Sequence, residues 1–119
     1  MIKETVGKTT LYCANSEDVV ARLENSSIDL VISSPPYNIS RKYNLYNDKR
    51  VDYLDWQISF WNLVFTKMKD EGHVFLNIQP SRENPLWCYE LVSNLDWQIQ
   101  NTFIWAKQIE INNHVKGQG

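Results

Sequence analysis

The stretch Asp29–Ser40, DLVISSPPYNIS, sets the reading of the whole chain. Leu30, Val31 and Ile32 form the apolar run of a strand buried in a sheet, and the run stops at Ser33 and Ser34 before two prolines. Each proline fixes φ near about −65°, lacks an N–H and pushes its predecessor toward extended geometry. The exit from the strand is therefore stiff, and no local helix can take up its carbonyls. That leaves the Ser34 hydroxyl and the Pro35 carbonyl as fixed acceptors, with the Tyr37 ring beside them. Acceptors next to a stacking face suit a planar ligand that carries an amino group. A rigid surface turn with a packed tyrosine would use the same residues.

On either side of this stretch, strands and helices alternate. TTLYCA, Thr9–Ala14, is β-branched and aromatic and predicts a strand. A helix follows, with Asn15 or Ser16 as N-cap, acids in its first turn, and Val19, Val20 and Leu23 on one face. Asn25-Ser26-Ser27 breaks it, and IDLVIS is the next strand. Beyond the loop NISRKYNLYNDKR, apolar residues at Leu54, Ile58, Trp61, Val64 or Phe65, and Met68 keep a helical period from about Tyr53 to Lys69. Gly72 suits a left-handed cap after it. HVFLNI reads as a strand and PLWCYELVSNL as a helix with Pro85 in its first turn. WQIQNTFIWAK, Trp97–Lys107, reads as a further strand, and the tail after it shows no period.

This order predicts an α/β fold, a mostly parallel sheet with right-handed crossovers and helices on both faces. In open sheets of that kind ligands bind beyond the carboxyl ends of the strands, where Ser33 to Asn38 fall.

Composition narrows the class. With 119 residues, 43% of them apolar and a net charge of −2, the chain has the makings of a single folded domain. Nucleic-acid binding would have to come from a local patch, since the whole is slightly acidic. No apolar run approaches the roughly 18 residues of a membrane span, and MIKETVGKTT lacks a signal-peptide core, so a cytoplasmic location and no membrane partner are expected. Cys13 and Cys88 are far apart, which predicts reduced, partly buried thiols, and neither pairs with His73 or His114 in a metal or catalytic spacing. No metal site is expected.

Ser34-Pro35-Pro36-Tyr37 resembles the catalytic motif (Asp/Asn/Ser)-Pro-Pro-(Tyr/Phe) of the DNA amino-methyltransferases, which closes a buried strand in that family. The helix and strand YLDWQISFWNLVFTKMKDEGHVFLNI and the later segment FIWAK are similar to the family's following elements, so the resemblance runs over roughly residues 9 to 110. It implies part of a Rossmann-like fold that uses S-adenosylmethionine to methylate the exocyclic nitrogen of cytosine or adenine. The base would be flipped out of DNA, with Ser34, Pro35, Pro36 and Tyr37 as the catalytic corner. Serine in the first position inclines the reading to cytosine N4 over adenine N6.

Other assignments follow from the same resemblance. The family's early strand often ends in Gly-Asp, whose carboxylate meets the cofactor's adenine; here the positions are Ala14-Asn15. The Asn15 amide oxygen can still accept, although an ordinary helix N-cap explains it equally. Ser33 joins Asn15 as a candidate cofactor contact. Asn38, Arg41, Lys42, Lys49 and Arg50, interleaved with Tyr43 and Tyr46, are the candidate DNA contacts; a solvated basic loop is the alternative. Lys107 either lines the same cleft or lies on the surface.

The sequence departs from the family in one decisive way. A Phe-x-Gly-x-Gly motif binds the cofactor's methionine part in these enzymes, whereas this chain has only Gly7, Gly72, Gly117 and Gly119, and none forms that motif. The early position of Ser34 fits a circularly permuted group in which the catalytic motif precedes target recognition and the glycine motif. The expectation is an N-terminal catalytic half, inactive alone, that needs a partner half or self-associates through an exposed strand edge and apolar helix face. Methylation of an amide or amine in RNA or protein, and a non-catalytic nucleic-acid-binding module, remain as alternatives.

Overall fold

The parallel pairing of two strands, β3 (Ile28–Ser33) and β6 (Met68–Leu76), is the frame on which the described part of the molecule is built. In the computed structural model, residues 1–36, 42–43, 46–47 and 51–107 are described, the pairs 42–43 and 46–47 by their backbone alone. Four further strands and three helices complete the order: β1 (Ile2–Val6), β2 (Thr9–Cys13), α1 (Ser16–Arg22), β4 (Lys42–Tyr43), β5 (Tyr46–Asn47), α2 (Tyr53–Lys67) and α3 (Trp87–Ser93), with β4 and β5 forming a small antiparallel pair.

β3 has the range that its apolar run predicts, and α2 carries it across to β6. Tyr53, Gln57, Trp61, Val64 and Lys67 recur at helical spacing and are the residues that α2 buries. They pack with Trp87 and Leu91 of α3, and Ile28, Val31, Val74 and Leu76 of the sheet close against the same cluster. Leu91 is fully buried, and covering a leucine side chain is worth about 1.5–3 kcal/mol. Inside this apolar packing the Trp61 Nε1–H donates to the Gln57 Oε1 at 2.8 Å, which satisfies both polar groups one helical turn apart.

The loop between α1 and β3 closes the end of α2. The backbone N–H groups of Ser26 and Ser27 donate to the carbonyls of Thr66 and Lys67 at 3.3 and 2.9 Å, so these orphan C-terminal acceptors find partners. The buried Lys67 ammonium donates to Asn25 Oδ1 at 2.8 Å. Ser26, whose N–H reaches the Thr66 carbonyl, takes φ 53°, a left-handed conformation that a non-glycine residue adopts at some cost.

Several expectations are corrected. Gly72 caps no helix: α2 ends at Lys67, and Met68 already begins β6. The pairing shifts between Ile28↔Met68 and Leu30↔His73, so β6 carries a bulge through this segment. There the backbones approach closely. A Cβ on Gly72 would meet Met68 Cε at 2.8 Å and the Ile28 carbonyl oxygen at 3.0 Å. A larger residue here would have to displace the Met68 tip and crowd the Ile28 and Lys69 carbonyls, so glycine fits this close approach best.

β2 pairs antiparallel with β1, a strand absent from the sequence reading, through a turn in which Gly7 takes φ +60°. Trp97–Lys107 is no strand, and Phe103, Ile104 and Trp105 are exposed. A strand needs a neighbour for its backbone groups, and this stretch has none among the described residues. Helices on both faces were expected as well. Among the described residues the helices pack on one face of β3–β6, while Leu30, Ile32 and Phe75 on the other face are 52%, 75% and 53% exposed. No described helix is long and apolar enough to cross a membrane. Cys88 is half-buried as expected, but Cys13 is exposed.

Candidate active site

Ser33 and Leu76 are the last paired residues of β3 and β6, so the chain leaves both strands at the same carboxyl edge. One further bond continues the ladder, from the Asn77 N–H to the Ser33 carbonyl at 2.9 Å. Past that point β3 delivers Ser34, Pro35 and Pro36. Ser34 is exposed, Pro35 is buried and Pro36 is half-buried. The prolines thus serve as an anchored arm that presents a hydroxyl at the sheet edge.

Two side chains hold that arm. The Asn77 Nδ2 donates to Ser34 Oγ at 3.1 Å. The Tyr53 hydroxyl, from the first turn of α2, donates to the Pro36 carbonyl. Tyr53 is itself buried, with edge-on ring contacts to Trp56 and Trp87 at 6.0 and 5.1 Å between centroids. Trp87 returns to the β6 exit by donating its indole N–H to the Gln79 carbonyl at 2.9 Å. Trp56 reaches the other way and donates to Glu17 Oε1 on α1. The corner therefore rests on an aromatic base shared by the helices and the β6 exit.

Sequence reasoning located Ser34, Pro35 and Pro36 at the correct edge but missed Asn77 and Tyr53. A signal for Asn77 existed: a polar amide that ends the apolar run HVFL, on a strand expected to run parallel to β3, falls beside the residue after Ser33. Tyr53 carries no such signal, since an aromatic residue at a helix start reads as core.

The remaining candidates are not gathered at this corner. Asn15 stands at the N-cap position of α1, exposed, and its side chain makes no cap hydrogen bond. Its strand, β2, is paired with β1, so no shared ladder sets Asn15 beside Ser33. Ser33 is half-buried, and its carbonyl is engaged by Asn77. Tyr37, Asn38, Arg41, Lys49 and Arg50 lie outside the described residues. Lys42 opens the β4–β5 pair opposite Asn47. Lys107 sits with its ammonium 5.0 Å from the centroid of the exposed Trp105 ring. Of the two candidate cofactor contacts, Asn15 presents an exposed side-chain acceptor and Ser33 is half-buried, and the described residues include no glycine-rich loop.

A hydroxyl held at the carboxyl edge of parallel strands, on a stiff Ser-Pro-Pro arm, stands where open α/β sheets bind their ligands, and the class is that of an α/β protein. Residues 28–118 match the N6/N4 DNA methylase family, and the chain belongs to that family. It is 30% identical over 102 residues to the type II methyltransferase M.MjaVI of Methanocaldococcus jannaschii, covering 79% of this chain and 53% of that protein. To M.PvuII of Proteus hauseri it is 32% identical over 68 residues, 57% of this chain and 20% of that enzyme. To M.HpaI of Haemophilus parainfluenzae the figures are 29% over 68 residues, 56% and 22%. The chain thus spans about half of the first of these relatives and about a fifth of the others.

Proposed function

We propose that this chain forms the catalytic corner of an S-adenosylmethionine-dependent DNA methyltransferase that modifies an exocyclic amine, with cytosine N4 as the preferred target. The observation that carries the reading is the exposed Ser34 hydroxyl at the carboxyl edge of β3, within a family-matched segment. An exocyclic amine is a weak nucleophile because its lone pair is delocalised into the ring. Acceptors that bind its two N–H groups favour a pyramidal nitrogen with an available lone pair, which is preorganisation without a covalent enzyme intermediate. Ser34 Oγ is one such acceptor, and the Pro35 carbonyl is the second. S-Adenosylmethionine, when bound, supplies the electrophilic methyl.

Tyr37 is assigned the stacking face for the flipped base, and Asn38, Arg41, Lys42, Lys49 and Arg50 the backbone contacts to DNA. The proposal includes a permuted order, in which target recognition and the Phe-x-Gly-x-Gly motif follow the catalytic motif within a Rossmann-like fold. These 119 residues lack that motif, so the isolated chain transfers no methyl group. The bare Leu30, Ile32 and Phe75 face is where the complementary half would pack, with self-association as the alternative.

The test is transfer of labelled methyl groups from S-adenosylmethionine to DNA by the protein in its full-length active form, followed by nucleoside analysis. N4-Methylcytosine is expected. N6-Methyladenine would refute the choice of base, and absence of any transfer to DNA would refute the assignment as a whole.

A further inference from the structure

Ser34 cannot hold its own orientation. A serine side chain on an extended backbone has three staggered rotamers within reach, and an exposed one exchanges between them rapidly. A hydroxyl meant to receive a proton donor from a substrate amine must point in one direction. Here a neighbouring strand supplies that direction. Asn77 binds β3 twice, through its N–H to the Ser33 carbonyl at 2.9 Å and through Nδ2 to Ser34 Oγ at 3.1 Å. The main-chain bond fixes where Asn77 stands, and the side-chain bond then fixes the rotamer of Ser34.

The direction of that side-chain bond also matters. A hydroxyl oxygen has two lone pairs and one proton. The Asn77 amide donates into one lone pair, which leaves the other in a fixed direction for an incoming N–H. Tyr53 does the corresponding work on the main chain. Its hydroxyl donates to the Pro36 carbonyl, and the Trp56 and Trp87 rings restrict the ring that carries it. With the strand end held on one side and Pro36 on the other, the Ser34-Pro35 unit between them has little freedom to rotate.

We infer that Asn77 and Tyr53 are positioning residues for methyl transfer: Asn77 orients the Ser34 hydroxyl, and Tyr53 fixes the Ser-Pro-Pro arm through the Pro36 carbonyl. The inference rests on the reading of Ser34 as an acceptor for the target amine. It deepens that reading, because it places part of the catalytic geometry on β6 and α2, outside the Ser-Pro-Pro-Tyr motif.

The size of the effect follows from the geometry. Loss of the Asn77 amide dilutes one Ser34 rotamer among three, a factor of about three in kcat, and misdirection of the lone pair raises the loss to about thirtyfold. Neither residue is assigned to DNA backbone contact, so KM for DNA stays within about twofold.

The experiment measures kcat and KM for DNA in the full-length active protein for Asn77→Ala, Asn77→Asp, Tyr53→Phe and Ser34→Ala, and for the double variant Ser34→Ala/Asn77→Ala. Asn77→Ala is expected to lower kcat about three- to thirtyfold at unchanged KM. Asn77→Asp keeps the shape and can still hold the Ser34 hydroxyl as an acceptor, so its kcat falls between those of Asn77→Ala and wild type. Tyr53→Phe lowers kcat about threefold or more, again at unchanged KM. The double variant decides the mechanism: because Asn77 acts through Ser34, Asn77→Ala costs nothing further once Ser34 is alanine. Wild-type kcat in Asn77→Asp and Tyr53→Phe, or a full additional loss in the double variant, overturns the inference while leaving Ser34 in its role. If Ser34→Ala itself retains wild-type kcat, the reading of the site has failed, and the inference falls with it. Should Asn77→Ala fail to fold, Asn77→Asp and Tyr53→Phe carry the test.

Discussion

Removal of the buried Gln57 amide tests how α2 is fixed beneath the Ser-Pro-Pro arm. Gln57 lies one turn after Tyr53 and one turn before Trp61, on the stripe that α2 buries. Gln57 is 2% exposed and Trp61 1% exposed, and the Trp61 Nε1–H donates to Gln57 Oε1 at 2.8 Å. In Gln57→Leu the indole N–H stays buried without its partner. Desolvation of such a donor costs about 1–3 kcal/mol, and the added apolar surface of leucine offsets part of it, so a net loss of about 1–2 kcal/mol is expected. Trp61→Phe removes the donor and leaves a cavity as well as an orphaned Gln57 oxygen, for about 2–4 kcal/mol. In the double variant both polar partners are gone. Its destabilisation should fall short of the sum of the single values by about 1–2 kcal/mol. Urea unfolding followed by fluorescence measures all four proteins, and a constant slope with denaturant confirms that the unfolded states are comparable. Additivity within about 0.5 kcal/mol would refute the reasoning, since the two side chains would then contribute independently.

Ser26→Gly should stabilise the chain by about 0.5–1 kcal/mol, because glycine adopts φ 53° without a Cβ clash while loosening the unfolded chain; thermal melting reads the gain, and a lower melting temperature would contradict the strain at this turn. The two cysteines should separate by reactivity. Desolvation pushes the half-buried Cys88 thiol up to about 11, so at pH 8 a thiol reagent modifies the exposed Cys13 first. The sign of the stability change follows. The folded state holds the Cys88 proton more tightly than the unfolded state does, so its contribution is complete below the ordinary value of 9.0 and disappears as pH rises toward about 11. Stability of Cys88→Ala that declines as steeply as wild type over that window would contradict it.

Where the sequence was legible, a single physical signal pointed one way. Leu30-Val31-Ile32 before two prolines could only be a strand with an abrupt end, and β3 has the expected range. The start of α2 followed from apolar spacing, but its buried face only in part: Trp61 and Val64 are buried as expected, whereas Leu54 and Ile58 are half-buried, Phe65 is exposed, and Tyr53, Gln57 and Lys67 complete the buried stripe. The corner itself was legible for the same reason, since proline geometry is local. What failed depended on contacts distant in sequence. Met68–Gly72 is charged and ends in glycine, which reads as a helix stop; the residues extend instead because the bulged pairing with Ile28 draws them into β6. Ile2–Val6 has too short an alternation to announce a strand, and becomes one by folding back over Gly7 onto β2. Trp97–Lys107 has the composition of a strand but no partner among the described residues. Asn77 was missed because its importance lies in the strand it stands beside.

The most direct test of the catalytic corner is methyl transfer by the full-length active protein carrying Ser34→Ala, measured with labelled S-adenosylmethionine and DNA and resolved by nucleoside analysis. The wild type should yield N4-methylcytosine, and Ser34→Ala should lower kcat about a hundredfold while KM for DNA holds. Undiminished N4-methylcytosine formation by Ser34→Ala would contradict the role of this hydroxyl.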